Sequence, residues 1–248
     1  MYCIEHNNGL LESLSCLMSP IFLKLIIMDL TMRRVPKYLI GIILTYSLSS
    51  FSQEIPAVPI GDQIWKTRNL NTDRFQNGEL IPEAKSDAEW ISAAANHQPA
   101  WCYNANDPQN GEKFGRLYNW YAVSSVNGLC PIGWHVPNDS DWRILERTLG
   151  GWEAAGGKMK TTDGWELFNM RFNGNGTNES GFFALPAGSR YFNGLFTYIG
   201  TTGAWWTSTP PERFSEEVYI RYVTNKDDVL MRIPTKLAFG LSVRCIRD

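Results

Sequence analysis

Histidine is scarce. The 248 residues contain three, and only His97 and His135 lie beyond residue 52. A Ser-His-Asp or Cys-His arrangement would have to be built on one of those two. His135 stands in the apolar stretch Trp134-His135-Val136-Pro137, where a structural ring satisfied by a backbone partner is expected; His97 stands in a polar loop. There is no GxSxG elbow, no phosphate-binding Walker loop, no GxGxxG and no HExxH. No CxxC spacing exists, which leaves no cysteine-based zinc site. Basic residues form no stripe, and 23 Lys+Arg face 25 Asp+Glu. Duplex nucleic acid is therefore not an expected partner, and no polybasic segment would hold the mature chain on a membrane. Asp139 and Asp141 are expected to favour a helix N-terminus. Asp227-Asp228 is too thin a cluster for calcium, which takes about six to eight oxygens. No enzyme activity, cofactor or metal is expected.

Long apolar runs are missing too. The longest, residues 38–51, is short of the roughly 20 residues of a spanning helix. Arg33, Arg34 and Lys37 precede it, and Ser50 and Ser52 place small residues at the −3 and −1 positions. That order reads as a cleaved secretory signal over 32–52. Residues 1–31 read as an over-extended N-terminus, with Met32 as the true start, and 53–248 as one mature domain. Export implies an oxidising compartment. Of the cysteines there, Cys102, Cys130 and Cys245, an odd count leaves one unpaired.

All ten Trp lie beyond residue 52. Rings this frequent are expected to build the core, each burying about 150–250 Å². Residues 84–95 have helix-forming composition with Ser86 as N-cap. Asn138-Asp139-Ser140 offers N-caps for a helix over 141–149, with Trp142, Leu145 and Leu149 on one face and Gly150-Gly151 ending it. Residues 118–123 read as a short buried helix and 104–111 as turn. Regular signals fade over 156–203. Strands are expected at 130–137, 204–208, 217–223, 229–233 and 241–247. The fold class is α+β: one domain, short helices, antiparallel strands and a long loop region.

Several segments together carry a resemblance. They are Ile60-Gly61-Asp62-Gln63-Ile64-Trp65, Gly115-Arg116-Leu117-Tyr118-Asn119-Trp120-Tyr121-Ala122-Val123, Leu129-Cys130-Pro131-Ile132-Gly133-Trp134-His135-Val136-Pro137, Gly181-Phe182-Phe183-Ala184-Leu185-Pro186-Ala187-Gly188, Trp205-Trp206-Thr207-Ser208 and Leu241-Ser242-Val243-Arg244-Cys245-Ile246-Arg247. In this order they resemble the Fibrobacter succinogenes major paralogous domain, a family found on exported proteins of Bacteroidetes and Fibrobacter relatives.

Val136-Pro137 before Ser140-Asp141-Trp142 is also similar to the strand-to-helix step of C-type lectin-like folds, the formylglycine-generating group included. That likeness implies a disulfide between the first helix region and the last strand, here Cys130–Cys245, with Cys102 free. It also implies that a ligand meets the long loop. The residues expected there are Arg190, Tyr191, Phe192, Asn193 and Tyr198, with Trp205 beside them. No Glu-Pro-Asn, Gln-Pro-Asp or Trp-Asn-Asp occurs, so the calcium-dependent sugar mode is not implied. Nor are the paired catalytic cysteines of the formylglycine-generating enzymes present. The expected role is an exported, non-catalytic binding module for a glycan or a surface protein. The alternatives are a structural envelope component and a carboxylate-dependent polymer hydrolase.

The exported protein is expected to begin at Gln53. Mass spectrometry of its N-terminus checks this, and recovery of intact residues 1–52 would refute both cleavage and export.

Overall fold

Gly61 makes the first turn possible. Its φ of +60° lets two residues join β1 (Ala57–Ile60) to β2 (Gln63–Lys66) as an antiparallel hairpin. The computed structural model describes residues 56–169, 173–212 and 215–248. Residues 32–52, expected as a secretory signal, lie outside them. Ile55–Asp248 forms one compact unit, and no helix among the described residues is long and apolar enough to cross a membrane.

The elements after β2 are α1 (Asp87–Ala95), β3 (Trp101–Cys102), α2 (Pro108–Phe114), β4 (Leu117–Tyr118), α3 (Trp120–Val123), β5 (Trp134–His135), α4 (Asp139–Thr148) and α5 (Trp152–Met159). Then come β6 (Ala187–Arg190), β7 (Phe196–Ile199), β8 (Thr202–Trp206), β9 (Glu217–Thr224), β10 (Met231–Lys236) and β11 (Ile246–Arg247). The class is α+β, with small antiparallel sheets ordered β1-β2-β11-β5, β10-β9-β8, β3-β4 and β6-β7.

Capping sets the helices. Ser86 accepts from the Glu89 amide and Glu89 answers at the N-cap, so α1 opens on a full capping box. Asn138 and Asp141 make the same exchange at α4, whose Trp142, Leu145 and Leu149 all point inward. Gly150 and Gly151 follow at φ +96° and +98°. Residues 104–111, expected as turn, instead hold a 3-10 turn and the start of α2: Asp107 is its N-cap and Pro108 occupies the first position. The expected helix over 118–123 shortens to α3, because Tyr118 pairs with Trp101 in a ladder. The strand over 130–137 shortens to β5, after a turn at residues 132–133.

The region 156–203 is more regular than its sequence. It contains the end of α5 and the β6–β7 hairpin. A Cβ on Gly156 would lie 2.6 Å from the Asp228 carbonyl oxygen, so glycine permits α5 to close on the β9–β10 turn. Lys160 then donates to the Asp227 and Thr224 carbonyls.

Nine of the ten Trp are buried, and Trp152 alone is exposed, at 54%. One core gathers Trp101, Trp120, Trp134 and Trp206 around the Cys130–Cys245 disulfide. A second gathers Trp65, Trp142, Trp205 and Phe182. Cys102 is free and buried, and burial pushes its thiol up to about 12. His135 departs from expectation: its Nδ1 lies 2.7 Å from an Asp248 carboxylate oxygen and its Nε2 3.2 Å from one of Asp141.

The C-terminal segment threads the molecule instead of forming one long strand. Leu241 bridges Tyr118, Ser242 bridges Trp205, and Ile246 lies between Trp65 and His135. Arg244 is fully buried on this path. It donates to the Lys66 and Phe182 carbonyls and to the Asn69 side-chain oxygen. That same oxygen accepts from Trp205 Nε1 at 2.8 Å. Asn69→Ala would strand two buried donors, and the expected loss is about 2–4 kcal/mol. Urea denaturation checks it against Lys85→Ala, a surface change expected to stay within about 0.5 kcal/mol.

Candidate ligand-binding surfaces

The β6–β7 hairpin exposes rings because it is braced from below. Arg190 has no exposed surface. Its Nε donates to the Gly194 carbonyl at 2.9 Å, one terminal nitrogen donates to Ala84 and the other reaches Asp87 at 3.0 Å. The guanidinium lies 4.9 Å from the Trp90 ring and 4.6 Å from that of Phe196. Gly194, at φ +91°, sits where a Cβ would run into the Asp87 side chain. Arg190 therefore supports the turn and does not face a ligand. Trp205 is likewise inside, packed edge-on to Phe182 at 5.6 Å. These two residues leave the expected ligand set: one is consumed by hydrogen bonds and the other is enclosed by the second core.

The remaining members come together. Tyr191 and Tyr198 meet edge to face at 6.2 Å, and the Tyr191 hydroxyl donates to that of Tyr198 at 3.3 Å. That hydrogen bond pushes the Tyr191 hydroxyl above its ordinary value. Phe239 fills in beside Tyr191 at 4.9 Å and Phe192 at 6.1 Å. Lys236 Nζ stands 4.5 Å over the Phe192 ring. Phe192 is 46% exposed and Tyr198 54%. Asn193 is exposed and its side chain accepts from the Leu195 amide. Tyr198 has φ +64°, a left-handed conformation that costs a bulky residue about 1–2 kcal/mol.

A second feature was missed in the sequence. A cleft of about 590 Å³ opens between α4, the start of α5 and the β9–β10 ladder. Arg143, Glu146 and Arg147 enter from α4, Trp152 from α5, and Arg221 and Arg232 from the strands. Arg221 and Arg232 are directly opposite each other in the ladder, a like-charge pairing that is destabilising on its own. Asp139 offsets it. One carboxylate oxygen accepts from both Arg221 and Arg232 at 2.9 Å, and the other from Arg143 at 3.0 Å. Glu146 lies 3.4 Å from Arg221. The only sequence signal was the i, i+4 pair Asp139 and Arg143, together with the polar face of α4 opposite Trp142.

Burial pushes the Asp139 carboxyl up, but the hydrogen bond from Arg232 and the charges of Arg221, Arg232 and Arg143 overcome it and hold the carboxyl below its ordinary value. Among the described residues no cluster of His, Cys, Asp and Glu is placed to hold a metal.

The fold and these surfaces define a disulfide-tied α+β domain that presents rings and guanidinium groups to solvent. The chain belongs to the Fibrobacter succinogenes major domain family, whose model matches residues 58–247. No curated protein and no solved structure matches it.

A carboxyl held low in the folded state stabilises above its unfolded value, about 3.9, and loses that contribution as pH falls through the folded value. The stability difference between the native protein and Asp139→Asn is therefore expected to be full at pH 7 and to shrink below about pH 4. Urea midpoints from pH 7 to pH 2.5 check it; a pH-independent difference would contradict the ion network.

Proposed function

We propose that this domain is an exported, non-catalytic binding module whose ligand is a glycan, held on the β6–β7 hairpin. The observation that carries the reading is the exposure of Phe192 and Tyr198 on a turn fixed by a buried arginine. Exposed rings in a rigid turn lose little conformational entropy on binding. Their faces suit the apolar side of a sugar ring, while Asn193, Lys236 and the paired tyrosine hydroxyls supply hydrogen bonds to its hydroxyls. The strain at Tyr198 is consistent with a ring positioned for contact.

We read the fold in more detail as C-type lectin-like. The step from Val136-Pro137 into α4, the terminal strand inside a sheet and the Cys130–Cys245 link support that reading. A surface protein is the second ligand class. The exposure of Leu195 and Ile199 on the same hairpin, at 56% and 39%, favours it.

The test is a glycan and protein array screened with the purified protein, followed by Phe192→Ala and Tyr198→Ala. Each is expected to shift the melting temperature by no more than about 4 °C, which is about 1 kcal/mol for a domain of this size. Each is expected to weaken the array hit at least about tenfold, or 1.4 kcal/mol. Collapse of stability in both variants, with no hit on the array, would sink the site.

A further inference from the structure

The arginine-lined cleft is separate from the hairpin and has features that folding alone does not call for. The chain has a net charge of −2, yet four arginines line or edge this cleft, three of them bonded to Asp139. Asp139 takes up Nε of Arg143 and Arg232 and one terminal nitrogen of Arg221. The guanidinium of Arg147 has neither a hydrogen bond nor an ion pair among the described residues. Arg221 is 1% exposed, and its Nε has no partner. The cleft thus holds more positive charge than its own carboxylates neutralise.

Its other wall is apolar and aromatic. Trp152 is the one exposed tryptophan, and it lies at this cleft. Leu230 and Ile233 line the floor. A volume of about 590 Å³ falls within the range of small-ligand sites, roughly 300–1,000 Å³. The combination calls for a ligand that pairs a carboxylate with a small ring. Guanidinium forks match the planar carboxylate, and an indole face matches the apolar side of a pyranose.

We propose that this cleft is a second binding site, for the uronic-acid unit of an acidic saccharide. Arg143 and Arg147 take the carboxylate, Trp152 stacks on the sugar ring, and the Asp139 network holds Arg221 and Arg232 in place behind them. Asp139 is a positioning residue.

The test is calorimetric titration of the purified protein with glucuronate, glucose and inorganic phosphate. Glucuronate is expected to bind with a dissociation constant on the order of 1 mM, as befits a ligand of this size. Raising the salt should weaken it, and glucose should not compete for it. Arg147→Gln and Trp152→Ala are each expected to weaken glucuronate about tenfold. Arg147→Gln should leave the melting temperature unchanged, since the side chain is exposed and unpaired. Phe192→Ala and Tyr198→Ala should leave glucuronate binding intact, so failure of the hairpin reading and failure of this one are distinguishable. No glucuronate binding, or binding insensitive to both cleft variants, would overturn the proposal. Phosphate binding as tightly as glucuronate and indifferent to Trp152 would also overturn it, by reducing the cleft to a general anion site.

Discussion

The fold depends on dissolving one buried cation without a counterion. Arg244 is fully enclosed, and no carboxylate pairs with it among the described residues. Water cannot solvate the charge, so the backbone must. The Lys66 and Phe182 carbonyls and the Asn69 side chain supply the oxygens, and the Phe182 ring lies 4.2 Å beneath the guanidinium. Lys66 and Asn69 come from the end of β2 and just after it, and Phe182 from a distant stretch of chain. Satisfying the cation therefore fixes β2, the segment before β6 and the last strand against one another. Asn69 extends the constraint to Trp205 through its oxygen, and to Phe114 and Ser242 through its nitrogen. The adjacent Cys130–Cys245 link closes a span of 115 residues, which the chain-entropy model values at about 4–5 kcal/mol.

Local chemistry made part of this legible in the sequence. α4 was readable because an Asn-Asp-Ser cap preceded a single apolar face, and α1 because serine stood before helix formers. The tryptophans read correctly as core in nine cases of ten. What failed was each place where a residue's usual meaning was overruled by a contact far along the chain. Regular signals fade from residue 156, yet α5 runs through Gly156-Gly157 and needs them to approach Asp228 and Val229. Asp107-Pro108 looked like turn chemistry and is equally helix-start chemistry. The last strand read as seven residues, but its bridges go to four separate strands, so only Ile246–Arg247 forms a regular ladder.

The candidate surfaces followed the same rule. Composition located the ring-rich hairpin but could not sort inward from outward within it. Arg190 and Tyr191 are neighbours in sequence, and one is enclosed while the other reaches the surface. β6 is buried throughout its length and Tyr191 is the first residue beyond it, so where the strand ends decides that, and the glycine-rich stretch around it obscured the end. The cleft was harder to find. Arg143 and Arg221 are far apart in the chain and meet only because α4 lies over the β9–β10 ladder. Asp139 carried an adequate local explanation as a helix-start residue, and that explanation concealed its second task.

The two faces of β9 show why rings and charges can coexist in so small a domain. Ile220 and its partner Trp206 face the disulfide core, while Val223 and Trp205 face the second core. Arg221, directly opposite Trp205, lies on that second side, where the core runs out into the cleft. A strand buried on both faces would ordinarily be apolar throughout. Here the apolar residues on either side, with Asp139, hold one guanidinium where water is largely excluded. Charge interactions strengthen as the local dielectric falls. The packing that makes Arg221 costly to bury is therefore what would let its charge reach an acidic ligand held in front of it by Arg143 and Arg147.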